Sequence, residues 1–204
     1  MFEVIFDLET KKFFDDTGTS DPADLGVSVL SLYQREITDD YREIKGELHS
    51  FWEKDFDVMW KIFQGADRII GFNSISFDVP ALKPYAPANF AKLPHFDILN
   101  KIKEIQGRRT SLNSIAKETL GSTKTDHGSN AIKYWLEGSK ESLVKLQSYC
   151  EADVILTRDI YDFGLNNKYL KYIDHWNNVR EVAVDFSYSK NGAPTGAPPQ
   201  PSLF

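Results

Sequence analysis

The stretch MFEVIFDLET, residues 1–10, decides the fold. Its apolar, β-branched and aromatic residues predict a buried strand, with Glu3 at an exposed position near its start. Asp7 and Glu9 stand two residues apart at the end of this run. Because side chains at i and i+2 of a strand point to the same face, we expect both carboxylates to converge on one point. Buried like charges repel and lose hydration, which a divalent cation relieves, although an exposed acid pair would show the same spacing.

Length and composition indicate one packed domain. The chain has 204 residues, of which 41% are hydrophobic and 13% aromatic, enough to bury a core. We see no apolar stretch of membrane-spanning length and no basic and apolar secretion signal, so we expect no membrane segment. The single cysteine, Cys150, excludes an intramolecular disulfide and favours a reducing, cytoplasmic setting.

The net charge of −6 argues against a nucleic-acid partner unless positive charge is concentrated locally. Residues 101–133 carry seven basic and three acidic side chains, a local excess of +4. A solvated mixed face and a phosphate-contacting edge explain this excess equally well.

Hydrophobic periodicity predicts strands first and then mostly helices, an order typical of α/β or α+β architecture. Beyond the first strand, we expect strands over residues 25–33, 41–45 and 68–72, and helices over residues 50–64, 77–85, 98–105, 111–121, 131–136, 140–163 and 167–179. Gly164 is expected to end the long helix, and Trp176 to lie on the inner side of the last one. The Gly/Pro-rich residues 187–204 predict a flexible tail after a domain of residues 1–186.

Two further polar clusters accompany the acid pair. Asn73 and Asp78 flank a predicted strand-to-helix turn, where a loop presents polar groups from a buried scaffold, although a helix cap would also explain Asp78. Tyr149 and Asp153 are four residues apart and share one face of the long helix, at the edge of its apolar stripe. The tyrosine is either a packing residue with a polar tip or a group that orients or helps deprotonate a metal-held water.

In this order, the three clusters resemble the motifs of the DnaQ-like (DEDD) 3′-5′ exonucleases of the RNase H-like superfamily. The matching residues are Asp7-Leu8-Glu9, Asn73-x3-Phe77-Asp78 and Tyr149-x3-Asp153. Ser148, not histidine, stands five residues before Asp153, so the third motif is similar to the tyrosine branch (DEDDy). The resemblance covers nearly the whole chain up to the tail. It implies an α/β, RNase H-like fold with a central mixed sheet of about five strands flanked by helices.

The resemblance implies a metal-dependent 3′-5′ exonuclease that hydrolyses phosphodiester bonds at the 3′ end of a single strand, with DNA favoured and RNA as the alternative. Four carboxylates would hold two divalent ions, Mg²⁺ or Mn²⁺, about 3.5–4 Å apart, and these would clamp the scissile phosphate. The implied ligands are Asp7, Glu9, Asp78 and Asp153. Tyr149 would position the attacking water.

The resemblance also implies substrate contacts and partners. Thr10 and Phe77 would contact the substrate, and Asn73 would either contact it or hold the turn of its motif. The segment from Ser111 to Lys124 is similar to a helicase-associated subgroup of ribonuclease H-like proteins. A helicase or a polymerase is therefore the expected protein partner.

Residues outside the motifs are weaker candidates for the site. Asp97 would support it from a helix start, and His127 lies outside both forms of the third motif. Phe13 and Phe14 are expected in the core rather than stacked on an end base. The candidate phosphate contacts are basic and would make binding depend on salt: Lys11, Lys12, Arg108, Arg109 and Lys124.

Two other functions remain open at this point. One is a non-catalytic nucleic-acid-binding module with the same fold, which the complete set of motif residues argues against. The other is an aspartate-based phosphotransfer domain, which would leave Asn73, Phe77 and the Tyr149–Asp153 pair unexplained.

Overall fold

A five-stranded mixed sheet with helices on both faces forms the centre of the fold in a computed structural model, which describes residues 1–122 and 128–189. Its strands are β1 (Phe2–Thr10), β2 (Val27–Ile37), β3 (Glu43–Trp52), β4 (Arg68–Gly71) and β5 (His95–Asp97). Their order in the sheet is β3-β2-β1-β4-β5. β1 pairs antiparallel with β2 and parallel with β4, β2–β3 is antiparallel, and β4–β5 is parallel. The predicted α/β class and mixed sheet are confirmed.

The helices and a small hairpin complete the described part of the chain. The helices are α1 (Phe14–Thr17), α2 (Phe56–Gln64), α3 (Asp78–Leu82), α4 (Ile98–Gln106), α5 (Leu112–Leu120), α6 (Gly128–Glu137) and α7 (Lys140–Asn167). Short 3-10 turns cover Pro22–Asp24, Glu53–Asp55 and Phe90–Lys92, and the hairpin consists of β6 (Tyr169–Ile173) and β7 (Val179–Ala183). Among the described residues, no helix is long and apolar enough to cross a membrane.

Alternate residues of β1 face two different layers of the core. Val4 and Phe6 pack with the aromatic face of α2, whereas Ile5 packs with α4, α5 and α7. Because strand side chains alternate, Asp7 and Glu9 lie on the same face as Ile5. The sheet therefore directs the two acids towards α7.

Glu3 lies on this same face and is fully buried, so the prediction of an exposed position is wrong. Its carboxylate accepts hydrogen bonds from Arg35 Nε at 2.8 Å, the Tyr161 hydroxyl at 3.0 Å and the Tyr188 hydroxyl at 2.8 Å. Arg35 also donates two hydrogen bonds to the Asp162 carboxylate, at 2.9 and 2.6 Å. Burial is tolerated because donors from β2, α7 and the C-terminal segment satisfy the charge.

The second and third strands are longer than predicted, and the first predicted helix is shorter. Phe51 pairs with Leu30 in the β2–β3 ladder, so residues 50–52 belong to β3 rather than to a helix over residues 50–64. The helical part begins only at Phe56 and buries Met59 and Phe63. An aromatic residue at the end of a strand imitates the helical spacing that follows it, which explains the error.

Gly164 does not end α7, which continues to Asn167. A Cβ atom at Gly164 would lie 2.4 Å from Cε2 of Phe186, so the glycine allows the C-terminal segment to pack directly on the helix. The helix ends instead at Lys168, whose φ of 64° is left-handed.

The predicted last helix, residues 167–179, is wrong, because this segment forms the first strand and the turn of the β6–β7 hairpin. Leu170 and Val182 point into the core from its two strands, and Trp176, expected to be buried, is 70% exposed at the turn. A hydrogen bond fixes the hairpin to α5, because the Lys171 amide donates to Thr119 Oγ1 at 2.9 Å. Such tertiary contacts override an ambiguous local pattern.

The described chain continues in contact with the domain beyond residue 186. Tyr188 is buried, and its amide donates to the Tyr41 hydroxyl at 2.7 Å. Residues 190–204, most of the predicted tail, lie outside the described residues. The division into a domain of residues 1–186 and a tail stays a prediction.

Candidate metal centre

A β-bulge ends the pairing of β1 with β2 where the acid pair lies. Glu9 is opposite Val29 and Thr10 is opposite Val27, so Ser28 is left unpaired between them. The Ser28 hydroxyl donates to the Glu9 carbonyl at 3.0 Å and fixes the distorted backbone. Bulges of this kind are frequent next to functional sites, where they re-aim side chains.

The long helix α7 brings the third acid to this point. Tyr149 and Asp153 belong to its buried stripe and are 6% and 3% exposed. Between them, Cys150 donates from Sγ to the Asp7 carbonyl at 3.4 Å and ties the helix to the end of β1. Cys150 is buried, as expected for a core cysteine.

Asp7, Glu9 and Asp153 form a carboxylate cluster in which one oxygen from each lies within 4.8 Å of the others. Two oxygens on opposite sides of one Mg²⁺ are about 4.2 Å apart, because each is about 2.1 Å from the ion. The cluster therefore has nearly the spacing that one hard cation requires. An all-oxygen, all-anionic donor set also suits Mg²⁺ or Mn²⁺ chemically.

Asp78 lies beside this carboxylate cluster but is not part of it. It is buried at the start of α3, and its carboxylate lies close to the backbone of Leu8, the residue between the two β1 acids. Burial raises the pKa of Asp78 above its ordinary range, and the charge of Asp97 raises it further. A cation held nearby would lower that pKa and favour the ionised form.

Asp97 holds the loop that leads to Asp78. One of its carboxylate oxygens accepts from the Asn73 amide at 2.9 Å and the Asn100 amide at 3.2 Å, and the other accepts from the Ile75 amide at 3.0 Å. Asp97 therefore caps α4 and fixes the loop after β4 together. The Asn73 backbone is left-handed, with a φ of 66°.

Tyr149 faces all three members of the carboxylate cluster. Burial raises the pKa of its hydroxyl well above the ordinary value, and the charges of Asp153, Glu9 and Asp7 raise it further. The hydroxyl is therefore protonated at neutral pH and acts as a hydrogen-bond donor. Donation, rather than removal of a proton from water, is the role that this environment favours.

A cleft of about 260 Å³ opens beside Glu9. It is lined by Leu8, Glu9, Thr10, Lys12, Phe13, Phe14, Leu25, Phe77 and Ile132. Phe13 and Phe14 are 41% and 39% exposed, so the expectation that they lie in the core is wrong. Phe14 packs edge-to-face on Phe77 with ring centroids 6.3 Å apart. The polar loop around the two adjacent phenylalanines was the sequence signal for their exposure.

The remaining expected site residues differ in their surroundings. Thr10 is buried, and its hydroxyl donates to the Lys12 carbonyl at 3.1 Å. Lys11 pairs with Glu53 at the rim of the sheet. Lys124 and His127 lie outside the described residues.

A family model described as the RNase_H superfamily matches residues 4–163. Among solved structures, the chain is similar to the family B DNA polymerase from the archaeon Pyrobaculum calidifontis, with a TM-score of 0.56 and 20% identity over 80% of this chain and 24% of that one. It also matches the zinc-bound ExoI–ssDNA complex of E. coli, with a TM-score of 0.49 and 13% identity over 82% of this chain and 41% of that one. No curated protein sequence matches. The chain thus spans less than half of either structure, and the polymerase match shows the fold alone.

Proposed function

Because the chain belongs to the RNase_H superfamily, we propose that it is a metal-dependent 3′-5′ exonuclease of the DEDDy type, which hydrolyses phosphodiester bonds at nucleic-acid 3′ ends. The observation that carries this proposal is the convergence of Asp7, Glu9 and Asp153, whose oxygens lie within 4.8 Å of one another although Asp153 is far along the chain. Three carboxylates at this spacing repel one another, and a shared divalent cation relieves that repulsion.

The proposed ligands of two Mg²⁺ or Mn²⁺ ions are Asp7, Glu9, Asp78 and Asp153. Bound there, the ions would supply Lewis-acid stabilisation of the phosphate and a nucleophilic water at neutral pH. Asp78 fits this set because its carboxylate contacts the backbone between Asp7 and Glu9. Because Asp78 is buried, its ionised form is unfavourable unless a positive charge lies nearby.

Side chains of the protein would position the attacking water and the terminal nucleotide. The protonated Tyr149 hydroxyl faces the carboxylate cluster, hydrogen-bonds to Asp153, and would orient the attacking water there. Phe77 and Thr10 line the cleft beside Glu9, where a terminal nucleotide would place its base against the aromatic wall. Asn73 accepts a hydrogen bond from Arg109 at 2.7 Å, so we assign it the role of linking its loop to a basic residue near the substrate.

The proposed substrate is the 3′ end of a single strand, with DNA favoured over RNA. A cleft of about 260 Å³ beside Glu9 has room for a terminal nucleotide and not for a duplex, which favours a chain end. A helicase or a polymerase is the proposed protein partner, and a cytoplasmic setting is proposed from the single buried cysteine.

Single-stranded DNA and RNA labelled at the 5′ end, incubated with Mg²⁺ or Mn²⁺, test this function. We expect ladders that shorten from the 3′ end, and loss of the ladders in Asp153→Asn. Glu151→Gln is the matched control, because Glu151 lies on the same helix but accepts a hydrogen bond from Ser50 at 2.7 Å instead of facing the cluster. Binding of both polymers without cleavage under either metal would refute the enzyme and favour the non-catalytic module.

A further inference from the structure

The tip of the β6–β7 hairpin presents a large aromatic side chain to solvent. Trp176 is 70% exposed, and the ring of His175 packs against it. An exposed tryptophan of this kind leaves a broad apolar surface in water, which is costly unless a ligand covers it.

The turn that carries Trp176 is held in one conformation. The Asp174 carboxylate accepts hydrogen bonds from the amides of Trp176 and Asn178, both at 2.9 Å, and from Arg180 Nε at 2.8 Å. The Asn177 amide donates to the Asp174 carbonyl at 3.1 Å, and its own φ is 62°. A ring on a fixed turn loses little conformational entropy when a ligand stacks on it.

A chain of contacts joins this tip to the loop of the candidate site. Arg108 donates to the Ile173 carbonyl at 2.8 Å and approaches His175 Nδ1 at 3.4 Å. The next residue, Arg109, is exposed and donates to Asn73 Oδ1 at 2.7 Å. Two adjacent arginines therefore bridge the hairpin and the loop that leads to Asp78.

We propose that the hairpin tip is a stacking platform for an unpaired base of the bound strand, on the 5′ side of its terminal nucleotide, with Arg109 beside the intervening phosphates. This inference rests on the proposed function, since it extends the same strand beyond the cleft. Stacking on an aromatic face tolerates every base and accompanies a positive track along the backbone. The charges around the tip fit an anionic strand, because Arg180 and Lys171 are paired with Asp174 and Glu181 while the two arginines of the bridge add positive charge.

A protein partner fits this surface less well than a nucleotide base. A stable protein interface involves about 20–30 residues on each side. On this hairpin, the described large hydrophobic side chains that are exposed are Trp176 and Val179. One ring and a few charges match the size of one stacked nucleotide.

The test measures the binding of two 5′-labelled oligothymidylates, a dinucleotide and a dodecanucleotide, by fluorescence anisotropy. Binding is measured in Ca²⁺, and gels verify that the strands stay intact. Trp176→Ala should weaken binding of the long oligonucleotide by roughly 5- to 150-fold and leave the dinucleotide unchanged. Trp176→Phe, which keeps a ring, should bind within about threefold of the wild type and lose most of the tryptophan quenching caused by the long strand. Val179→Ala, which removes an exposed apolar group from the same hairpin, is the matched control and should change neither affinity.

The outcomes separate this inference from the proposed function. If the wild type binds and shortens the long strand but Trp176→Ala binds it equally well, the platform is refuted and the exonuclease stands. If Trp176→Ala weakens both lengths equally, the tryptophan acts through the fold or the cleft, and the platform is again refuted. If the wild type binds neither length, both proposals fail.

Discussion

The repulsion within the carboxylate cluster predicts that Asp7→Asn stabilises the protein in the absence of metal and reduces the further stabilisation caused by metal. One oxygen from each of Asp7, Glu9 and Asp153 lies within 4.8 Å of the others. At about 5 Å, two unit charges repel by about 3 kcal/mol at an effective dielectric constant of about 20, and by about 0.8 kcal/mol at about 80. Asp7→Asn removes two of the three pairs. Because Asp7 and Glu9 are half-buried, we expect a gain towards the lower limit, about 2 kcal/mol.

Without metal, Asp7→Asn should therefore raise the melting temperature by about 4–8 °C, since about 1 kcal/mol corresponds to 2–4 °C at this chain length. Millimolar Mg²⁺ at about 100 times its dissociation constant should stabilise the wild type by about 2.7 kcal/mol, or about 5–11 °C. The variant should gain less than half of this, because it lacks one ligand. Differential scanning fluorimetry in EDTA and in Mg²⁺ measures all four values.

Asp57→Asn is the control, because Asp57 is exposed on α2, which packs with the opposite face of β1. It should shift the melting temperature by less than about 2 °C and respond to Mg²⁺ like the wild type. A melting temperature that falls on Asp7→Asn in EDTA would refute the reasoning, since the carboxylate would then be stabilised by fixed donors of the protein rather than by a cation.

Three further predictions follow from single contacts. Tyr149→Phe should lower turnover by about 10- to 100-fold in the oligonucleotide assay and leave the Mg²⁺-induced melting shift intact, because it removes a donor but no ligand; loss of folding would make Tyr149 a core residue only. Gly164→Ala should destabilise the protein by about 1–3 kcal/mol in urea unfolding, because the new Cβ would lie 2.4 Å from Phe186 Cε2; an unchanged midpoint would show that Phe186 moves freely. The hydrogen bond from Arg180, together with turn amides, lowers the pKa of Asp174 to about 2. The resulting stability is complete above the ordinary pKa of 3.8 and disappears as the pH falls through about 2, so Asp174→Asn should remove this acid dependence from melting curves measured between pH 5 and 2.

Local patterns predicted the first four strands and the faces on which the site residues lie, whereas β5 was missed and the convergence of Asp153 with Asp7 and Glu9 was implied only by the family resemblance. β1 is a continuous buried run whose acids fall on one face by strand alternation, and this fixes the positions of Asp7 and Glu9 without any knowledge of the rest. Tyr149 and Asp153 follow in the same way from the helical period. Such patterns do not show which helix or strand will pack against each face.

That limit explains the errors at Glu3 and in the hairpin. Nothing near Glu3 in the sequence shows that Arg35, Tyr161 and Tyr188 will surround it, since these partners are 32, 158 and 185 residues away. A buried carboxylate without donors is so costly that an exposed position was the reasonable inference. In residues 169–183, the aromatic spacing suits a helix and a hairpin alike, and the choice depends on pairing with β7 and α5.

The same limit applies to the support of the site. Asp78 is recognisable as a motif acid, but its contact with the backbone of Leu8 exists only because β4 lies parallel beside β1 and delivers the following loop to the open end of that strand. Asp97 reaches the Asn73 loop because β5 is the next parallel strand along the same edge. The carboxyl ends of the three parallel strands therefore lie side by side, and ligands bind at such strand ends in open α/β sheets. The acids that follow these strand ends, two from β1 and one each after β4 and at the end of β5, lie close together. Asp97 has three amide donors, whereas burial raises the pKa of Asp78. Because burial and the charge of Asp97 raise the pKa of Asp78, a cation held nearby would favour the ionised form of Asp78 and complete the site.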